Sequence, residues 1–210
     1  MPTAAEPTPP TTTRVRATYD RLASRYDAGM RPLERWGLAR LRAATLRALP
    51  EGSRVLEVGA GTGANFPFYP RGSSGVASEL SAEMLRVARM KERPAGVWLV
   101  RSRAEHLPFA DAAFDAAFAT LVFCSVTSPA RAFSELRRVV RRGGTIALLE
   151  HVRPEGLLGY VFDALNLCTV ALCDDHFNRR TALEAERAGL RVVSVERRLH
   201  GILQIIVCRV

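Results

Sequence analysis

Three glycines at alternate positions, Gly59, Gly61 and Gly63, follow a short apolar run at 54–58. The pattern reads as a buried strand entering a turn where the backbone passes close to another group. Glycine suits such a turn because it lacks a Cβ and tolerates positive φ. Taken alone, the turn is also compatible with a plain structural corner. Twenty residues beyond Gly59 stands Glu79, at the end of a second apolar run. A carboxylate there can accept hydrogen bonds from ribose hydroxyls. The glycine spacing is not the Gly-x-Gly-x-x-Gly of dinucleotide sites, and the lysine of a triphosphate-binding loop is missing. Glu57 lies inside the first strand, where a charge is costly unless paired. It either forms a salt bridge with an arginine or meets the amino group of a cationic ligand.

Two histidines are candidates for proton transfer. His151 follows a fifth apolar run and reads as a base at a strand end, or as a simple hydrogen-bonded histidine. His176 sits in Asp-Asp-His-Phe-Asn-Arg-Arg at 174–180, either a loop anchored by charge pairing or a reader of a polar head group. No cluster has metal-ligand spacing, so no metal is expected. Cys124, Cys168, Cys173 and Cys208 lack a CxxC pair and read as reduced, buried thiols.

The elements that must position these residues follow from periodicity. At 15–26 the residues Val15, Tyr19, Leu22, Ala23 and Tyr26 share one helical face, with Arg14, Arg21 and Arg25 on a separate stripe. That helix either packs as an ordinary amphipathic helix or covers the site. Gly29 to Pro32 predict a break, and 33–49 a second helix. Strands are expected at 54–58, 75–79, 97–100, 114–120 and 145–150, with helices at 81–91 (Ser81 as N-cap) and 130–140, the latter ended by Gly143-Gly144. A helix at 180–188 precedes two strands, 191–196 and 202–209, whose tight connection makes them antiparallel neighbours. Alternating strands and helices imply an α/β fold with a mostly parallel sheet, and the strand ends carrying Gly59, Glu79, Leu121 and His151 converge on one crevice.

Length and composition bound the reading. At 210 residues the chain suits one domain, and 48% hydrophobic with 24% charged residues is ordinary for a globular protein. No apolar run is long enough to span a bilayer. The Pro- and Thr-rich first residues read as a disordered tail, not a signal peptide. A net charge of +9, almost all arginine with Lys91 the single lysine, fits a solvated surface or an anionic partner.

The segment Val-Leu-Glu-Val-Gly-Ala-Gly-Thr-Gly at 55–63 resembles motif I of the class I S-adenosylmethionine-dependent methyltransferases. Val-Ala-Ser-Glu-Leu-Ser-Ala-Glu-Met-Leu at 76–85 is similar to their second strand and following helix. Ala-Glu-His-Leu-Pro-Phe at 104–109 and Arg-Val-Val-Arg-Arg-Gly-Gly at 138–144 match later landmarks, and 19–27 resembles the first helix of the quinone-biosynthesis and phospholipid branch. The resemblance implies a Rossmann-like seven-stranded, mostly parallel sheet with the last strand antiparallel and helices on both faces. It implies S-adenosylmethionine as cofactor and S-adenosylhomocysteine as product. Glu57, Gly59, Ala60, Gly61 and Gly63 would face the methionine part, with Glu79 on the ribose, and Leu80, Ala104, Glu105 and Leu121 around the adenine and the crevice. One departure is Arg103, where many relatives have aspartate: a guanidinium offers no acceptor to the adenine amino group.

Shorter matches at 120–126, 150–152 and 178–181 resemble the methyltransferase-like 7 thiol methyltransferases and bacterial phosphatidylethanolamine N-methyltransferases. They imply a small lipophilic acceptor: a lipid amine, a quinone precursor or an alkyl thiol. Tyr19, Tyr26, Asn178 and Arg179 are the expected substrate contacts. The expected organisation is a tail at 1–13 and one methyltransferase domain at 14–210, with a helical lid at 14–50 and a substrate-side insertion at 153–180. Partners are a small-molecule or lipid acceptor and, through the basic first helix, a membrane surface touched from the cytoplasm. A nucleic-acid methyltransferase would account for the charge, but no Asn-Pro-Pro-aromatic tetrapeptide follows the fourth strand, so no nucleic acid is expected. A noncatalytic cofactor-binding scaffold is the other alternative.

Overall fold

A computed structural model describes residues 12–151 and 180–210. Seven strands form one sheet: β1 (Arg54–Val58), β2 (Ser74–Glu79), β3 (Gly96–Arg101), β4 (Phe114–Thr120), β5 (Val140–His151), β6 (Arg191–Arg198) and β7 (Leu203–Arg209). Their order is β3-β2-β1-β4-β5-β7-β6. Pairings from β3 to β5 are parallel, and β7 runs antiparallel to both β5 and β6. The five described α-helices are α1 (Thr12–Leu33), α2 (Ala39–Leu46), α3 (Ala82–Arg89), α4 (Pro129–Val139) and α5 (Thr181–Arg187).

Side chains of a strand point alternately to the two faces, and both faces here are apolar. Leu56, Val58, Ala117, Ala119, Ile146 and Leu148 point to one side, where Phe133, Leu136 and Val139 of α4 and Ala185 of α5 cover them. Val55, Ala116, Phe118 and Ala147 point to the other, against Leu46 of α2, Leu49 and Tyr69. On that same side Ala77 and Val97 pack on Ala88 of α3 and on Phe66.

Three boundaries differ from the sequence expectation. Helix α1 includes Thr12, inside the expected tail: the Thr12 hydroxyl accepts a bond from Arg103 Nη2 (3.0 Å) and lies 3.5 Å from Thr127 Oγ1. It then runs through Gly29 and Pro32 to Leu33. A Cβ on Gly29 would meet nothing within 4 Å, and Ala28, whose carbonyl loses the Pro32 N–H, is exposed. The break falls instead at a π-type turn, Glu34–Leu38, where Gly37 takes a φ of 139°. Finally, Gly143-Gly144 do not end α4. The chain enters β5 at Val140, and the two glycines sit where the β4–β5 register shifts. A Cβ on Gly144 would strike the Val140 side chain and the Asp115 carbonyl oxygen, so the irregularity depends on glycine.

Between β1 and β2 the pairing leaves no room for a side chain at one position. Gly75, with φ of 137°, pairs with Val55, and a Cβ there would fall on the Val55 carbonyl oxygen. Gly75→Ala should therefore destabilise the fold by about 3 kcal/mol or more, read by chemical denaturation. A loss below about 1 kcal/mol would mean that the two strands separate more easily than their packing implies.

Candidate active site

β1 and β4 are neighbours although β2 and β3 intervene in the chain. The loops leaving their carboxyl ends diverge, which opens a crevice at the switch point. Its walls include Gly59, Ala60 and Gly61 after β1, Glu79 and Leu80 after β2, Ser102, Ala104 and Glu105 after β3, and Leu121 after β4. Gly59 and Gly61 have φ of 71° and 54°. A Cβ on Gly59 would overlap the Val122 side chain, whereas one on Gly61 would meet nothing within 4 Å, so Gly61 presents bare backbone to the crevice. Gly63 is not part of the wall. It turns the chain against the Phe66 ring.

Glu79 is fixed at both oxygens, by the N–H groups of Gly61 (2.9 Å) and Ser81 (2.8 Å). Burial nevertheless raises its pKa, the backbone bonds oppose the rise, and the nearby Asp20 adds to it. Glu105 borders the crevice while its Oε1 accepts from the N–H groups of Thr127 (2.9 Å) and Ser128 (3.2 Å), at the start of α4.

Glu57 makes no direct ion pair with an arginine among the described residues, although the Arg42 charge stabilises its carboxylate. It is fully buried and absent from the crevice wall. Its carboxylate accepts from Asn65 Nδ2 (2.6 Å) and the Tyr69 hydroxyl (2.7 Å). Asn65 does reach the crevice, and its Oδ1 accepts from Arg42 Nη1 (3.1 Å). Arg42 is 4% exposed, bonds Thr120 Oγ1 through the same nitrogen, and pairs with Glu34 through Nε at 2.9 Å. Burial raises the Glu57 pKa, and the bonds from Asn65 and Tyr69 and the Arg42 charge pull it back. Tyr69 is held well above its ordinary pKa by burial and by the Glu57 carboxylate beside it.

Helix α1 lies over this crevice and contributes Thr12, Val15, Tyr19 and Tyr26 to its wall. Two aspartates hold it there. Asp20 accepts from the Ser81 hydroxyl (2.5 Å) at the N-terminus of α3. Asp27 accepts from the Thr62 hydroxyl (2.6 Å) and pairs with Lys91 Nζ (2.6 Å). Burial works against the Asp27 carboxylate, but the bonds from Lys91 and Thr62 outweigh it and its pKa lies below the ordinary value.

A second, apolar cleft of about 810 Å³ shares Tyr19, Tyr26 and Leu121 with the first. Leu22, Met30, Leu33, Trp36, Leu38, Leu41, Cys124, Leu199, Ile202 and Leu203 line it, and His151 stands on its wall. Leu121 forms the partition with a φ of 59°, unusual outside glycine, and its N–H donates to Leu149 O (2.7 Å). Beside it, the buried Glu150 accepts from the N–H groups of Val122 (3.0 Å) and Phe123 (3.2 Å) and fixes the loop after β4. Burial lowers the His151 pKa to about 4, so its imidazole is neutral at pH 7.

His176, Asn178 and Arg179, the expected insertion at 153–180 apart from Arg180, and Cys168 and Cys173 lie outside the described residues. Sequence reasoning passed over Arg42, Asn65, Thr120 and Ser102. Asn65 had a signal, being polar immediately after the glycine turn; Arg42 is one of many arginines on a helix and had none.

A family model described as a methyltransferase domain matches residues 56–148. The chain is 38% identical over 119 residues to a phosphatidylethanolamine N-methyltransferase of Cereibacter sphaeroides, covering 54% of this chain and 59% of that protein. It is 37% identical to a demethylmenaquinone methyltransferase of Thermobifida fusca, over 65% of this chain and 60% of that protein. With a thiol S-methyltransferase of Mus musculus it shares 31% identity, over 68% of this chain and 62% of that protein. The matches thus span about three fifths of the length of these curated relatives. The methyltransferase in complex with the Trm112 activator of Haloferax volcanii superposes with a TM-score of 0.75, at 18% identity, over 91% of this chain and 96% of that one. The fold is the Rossmann-like one of the class I S-adenosylmethionine-dependent methyltransferases. A SAM-dependent methyltransferase of Thermotoga maritima superposes with a TM-score of 0.66, at 23% identity, over 92% of this chain and 98% of that one; the bare backbone at Gly61, the carboxylate of Glu79 and the buried Ser102 hydroxyl would fit a nucleoside cofactor of that kind.

The neutral His151 makes the fold sensitive to acid. Its folded pKa of about 4 lies below the ordinary 6.5, so the unfolded chain binds a proton first as pH falls. This contribution to stability is intact above about pH 6.5 and is lost progressively toward pH 4. Denaturation across that range should show wild type losing stability relative to His151→Leu as pH falls, the variant lacking this part of the slope. Parallel stability curves would mean that His151 is solvated and titrates normally.

Proposed function

We propose that this chain, built on a class I methyltransferase fold, transfers a methyl group from S-adenosylmethionine to a small lipophilic acceptor. The observation that carries the reading is the junction of two clefts of opposite character at Tyr19, Tyr26 and Leu121. The polar crevice suits a nucleoside with a charged tail; the apolar cleft suits an acceptor with a hydrocarbon body. Trp36, 86% exposed, together with Leu33 and Leu199, gives the second cleft an apolar rim. The similarity to phospholipid, quinone and thiol methyltransferases supports the same class of acceptor.

In this reading Glu79 accepts the ribose hydroxyls, and the backbone at Gly59 and Gly61 admits the cofactor at close range. When bound, S-adenosylmethionine supplies an electrophilic methyl group that is displaced from sulfur in line. Tyr19, Tyr26 and Leu121 separate donor from acceptor, exclude water and set the approach angle. Alignment of that kind supplies most of the acceleration such a reaction needs. The neutral imidazole of His151 faces the acceptor side and can take up a proton released by the acceptor, although an imidazole with a pKa of about 4 is a weak base. Helix α1, latched by Asp20 and Asp27, serves as the lid over the cofactor.

Mass-spectrometric detection of methylated products, from the purified protein supplied with S-adenosylmethionine and a panel of acceptors, tests the reading. Long-chain amines, quinols or thiols should be methylated and short polar analogues should not. Turnover of polar acceptors alone, or methylation of nucleic acid, would overturn it; cofactor binding without turnover on any acceptor would favour a scaffold. Leu41→Trp, on the wall of the apolar cleft, should raise the KM for the acceptor about tenfold with cofactor affinity unchanged. Glu79→Ala should do the reverse and weaken cofactor binding by about tenfold or more.

A further inference from the structure

A nucleoside whose ribose met Glu79 at the end of β2 would direct its base past Leu80 toward the residues after β3, which are Ser102, Ala104 and Glu105. Adenine carries there an exocyclic amino group, a donor that needs an acceptor once it leaves water. Each charged side chain nearby already has a hydrogen-bond or ion-pair partner. Arg103 has no acceptor atom; its side chain is half exposed, with Nη2 bonded to Thr12 Oγ1 and Nε 3.9 Å from Glu105 Oε2. Glu105 Oε1 receives two backbone N–H groups at the start of α4, and both Glu79 oxygens receive backbone N–H groups.

Ser102 is different. Its Oγ is buried and has no hydrogen-bond partner among the described residues, although the residue lines the crevice. A buried hydroxyl without a partner is costly, and such atoms in native structures call for a ligand or water that completes them. The backbone ties this hydroxyl to the ribose site, because the Ser102 N–H donates to the Glu79 carbonyl oxygen at 3.0 Å. Ser102 thus directly follows Arg101, the β3 residue that pairs with Glu79, and is bonded to Glu79 through the backbone.

We infer that the Ser102 hydroxyl is the group that recognises the base of the cofactor, its Oγ accepting a hydrogen from the adenine amino group. The inference rests on the cofactor reading given above. It assigns to a neutral hydroxyl the base selection that Arg103 cannot perform.

Calorimetric titration with S-adenosylhomocysteine and with its analogue bearing unsubstituted purine in place of adenine separates the two readings. The wild type should bind S-adenosylhomocysteine about five- to tenfold more tightly than the analogue. Ser102→Ala should lose that factor toward S-adenosylhomocysteine and bind both ligands alike, with affinity for the analogue unchanged. Ser102→Cys, close in size but a weak acceptor, should lose it as well and guards against a packing effect of the smaller side chain. Equal weakening of both ligands in the variants, or no weakening of either, overturns the assignment while leaving the cofactor in place. A wild type that binds neither ligand overturns the cofactor reading, and this inference with it.

Discussion

The carboxylate of Glu57 has to be kept in a dry sheet, and much of the site follows from that constraint. A buried charge survives only with hydrogen bonds and a compensating charge nearby. Asn65 and Tyr69 supply the bonds, and Arg42 supplies the charge through Asn65. Asn65 is thereby pinned just after the glycine turn, Thr120 is drawn in at the end of β4, and α2 is tied through Arg42 to the start of the crevice. Arg42 also reaches Glu34, in the π-type turn that Gly37 makes possible. One carboxylate in the middle of β1 therefore sets the positions of two strand ends and one helix.

The other organising contacts are on α1. A helix that crosses the carboxyl ends of a sheet meets N–H groups and hydroxyls at the starts of the next helices, and acidic residues suit that place. Asp20 meets Ser81, and Asp27 meets Thr62 and Lys91. Because Ser81 also donates its N–H to Glu79, the helix and the crevice carboxylate share one residue as support.

The sheet was legible because its strands are apolar on both faces and end in turn residues, so 54–58 and 114–120 carry their own boundaries. The places of Gly59 and Glu79 on the crevice were legible for a related reason: each stands at the carboxyl end of an apolar strand beside the switch point. Pro32 and Gly143-Gly144 misled, since a proline in the last turn of an exposed helix and a glycine pair in a strand irregularity look like helix ends in one dimension. Glu57 announced itself as a buried charge, but its partners did not. Arg42 is twelve residues before β1, and Thr120 is contributed by a neighbouring strand across the switch point, so their meeting depends on tertiary register that no local pattern encodes. Ser102 is invisible for a different reason: it is distinguished only by what its hydroxyl lacks.

Lys91 deserves a chemist's view. It is the single lysine of the chain, and it is spent on Asp27, where its side chain is one-third exposed. An amine-selective reagent therefore finds one ε-ammonium in the whole sequence, and that one is a fastening of the covering helix. Acylation removes the charge on which the pairing depends, and pairing in turn shields the nitrogen from the reagent. With no other lysine in the chain, the labelling rate of this one residue reports on the Asp27–Lys91 pairing alone.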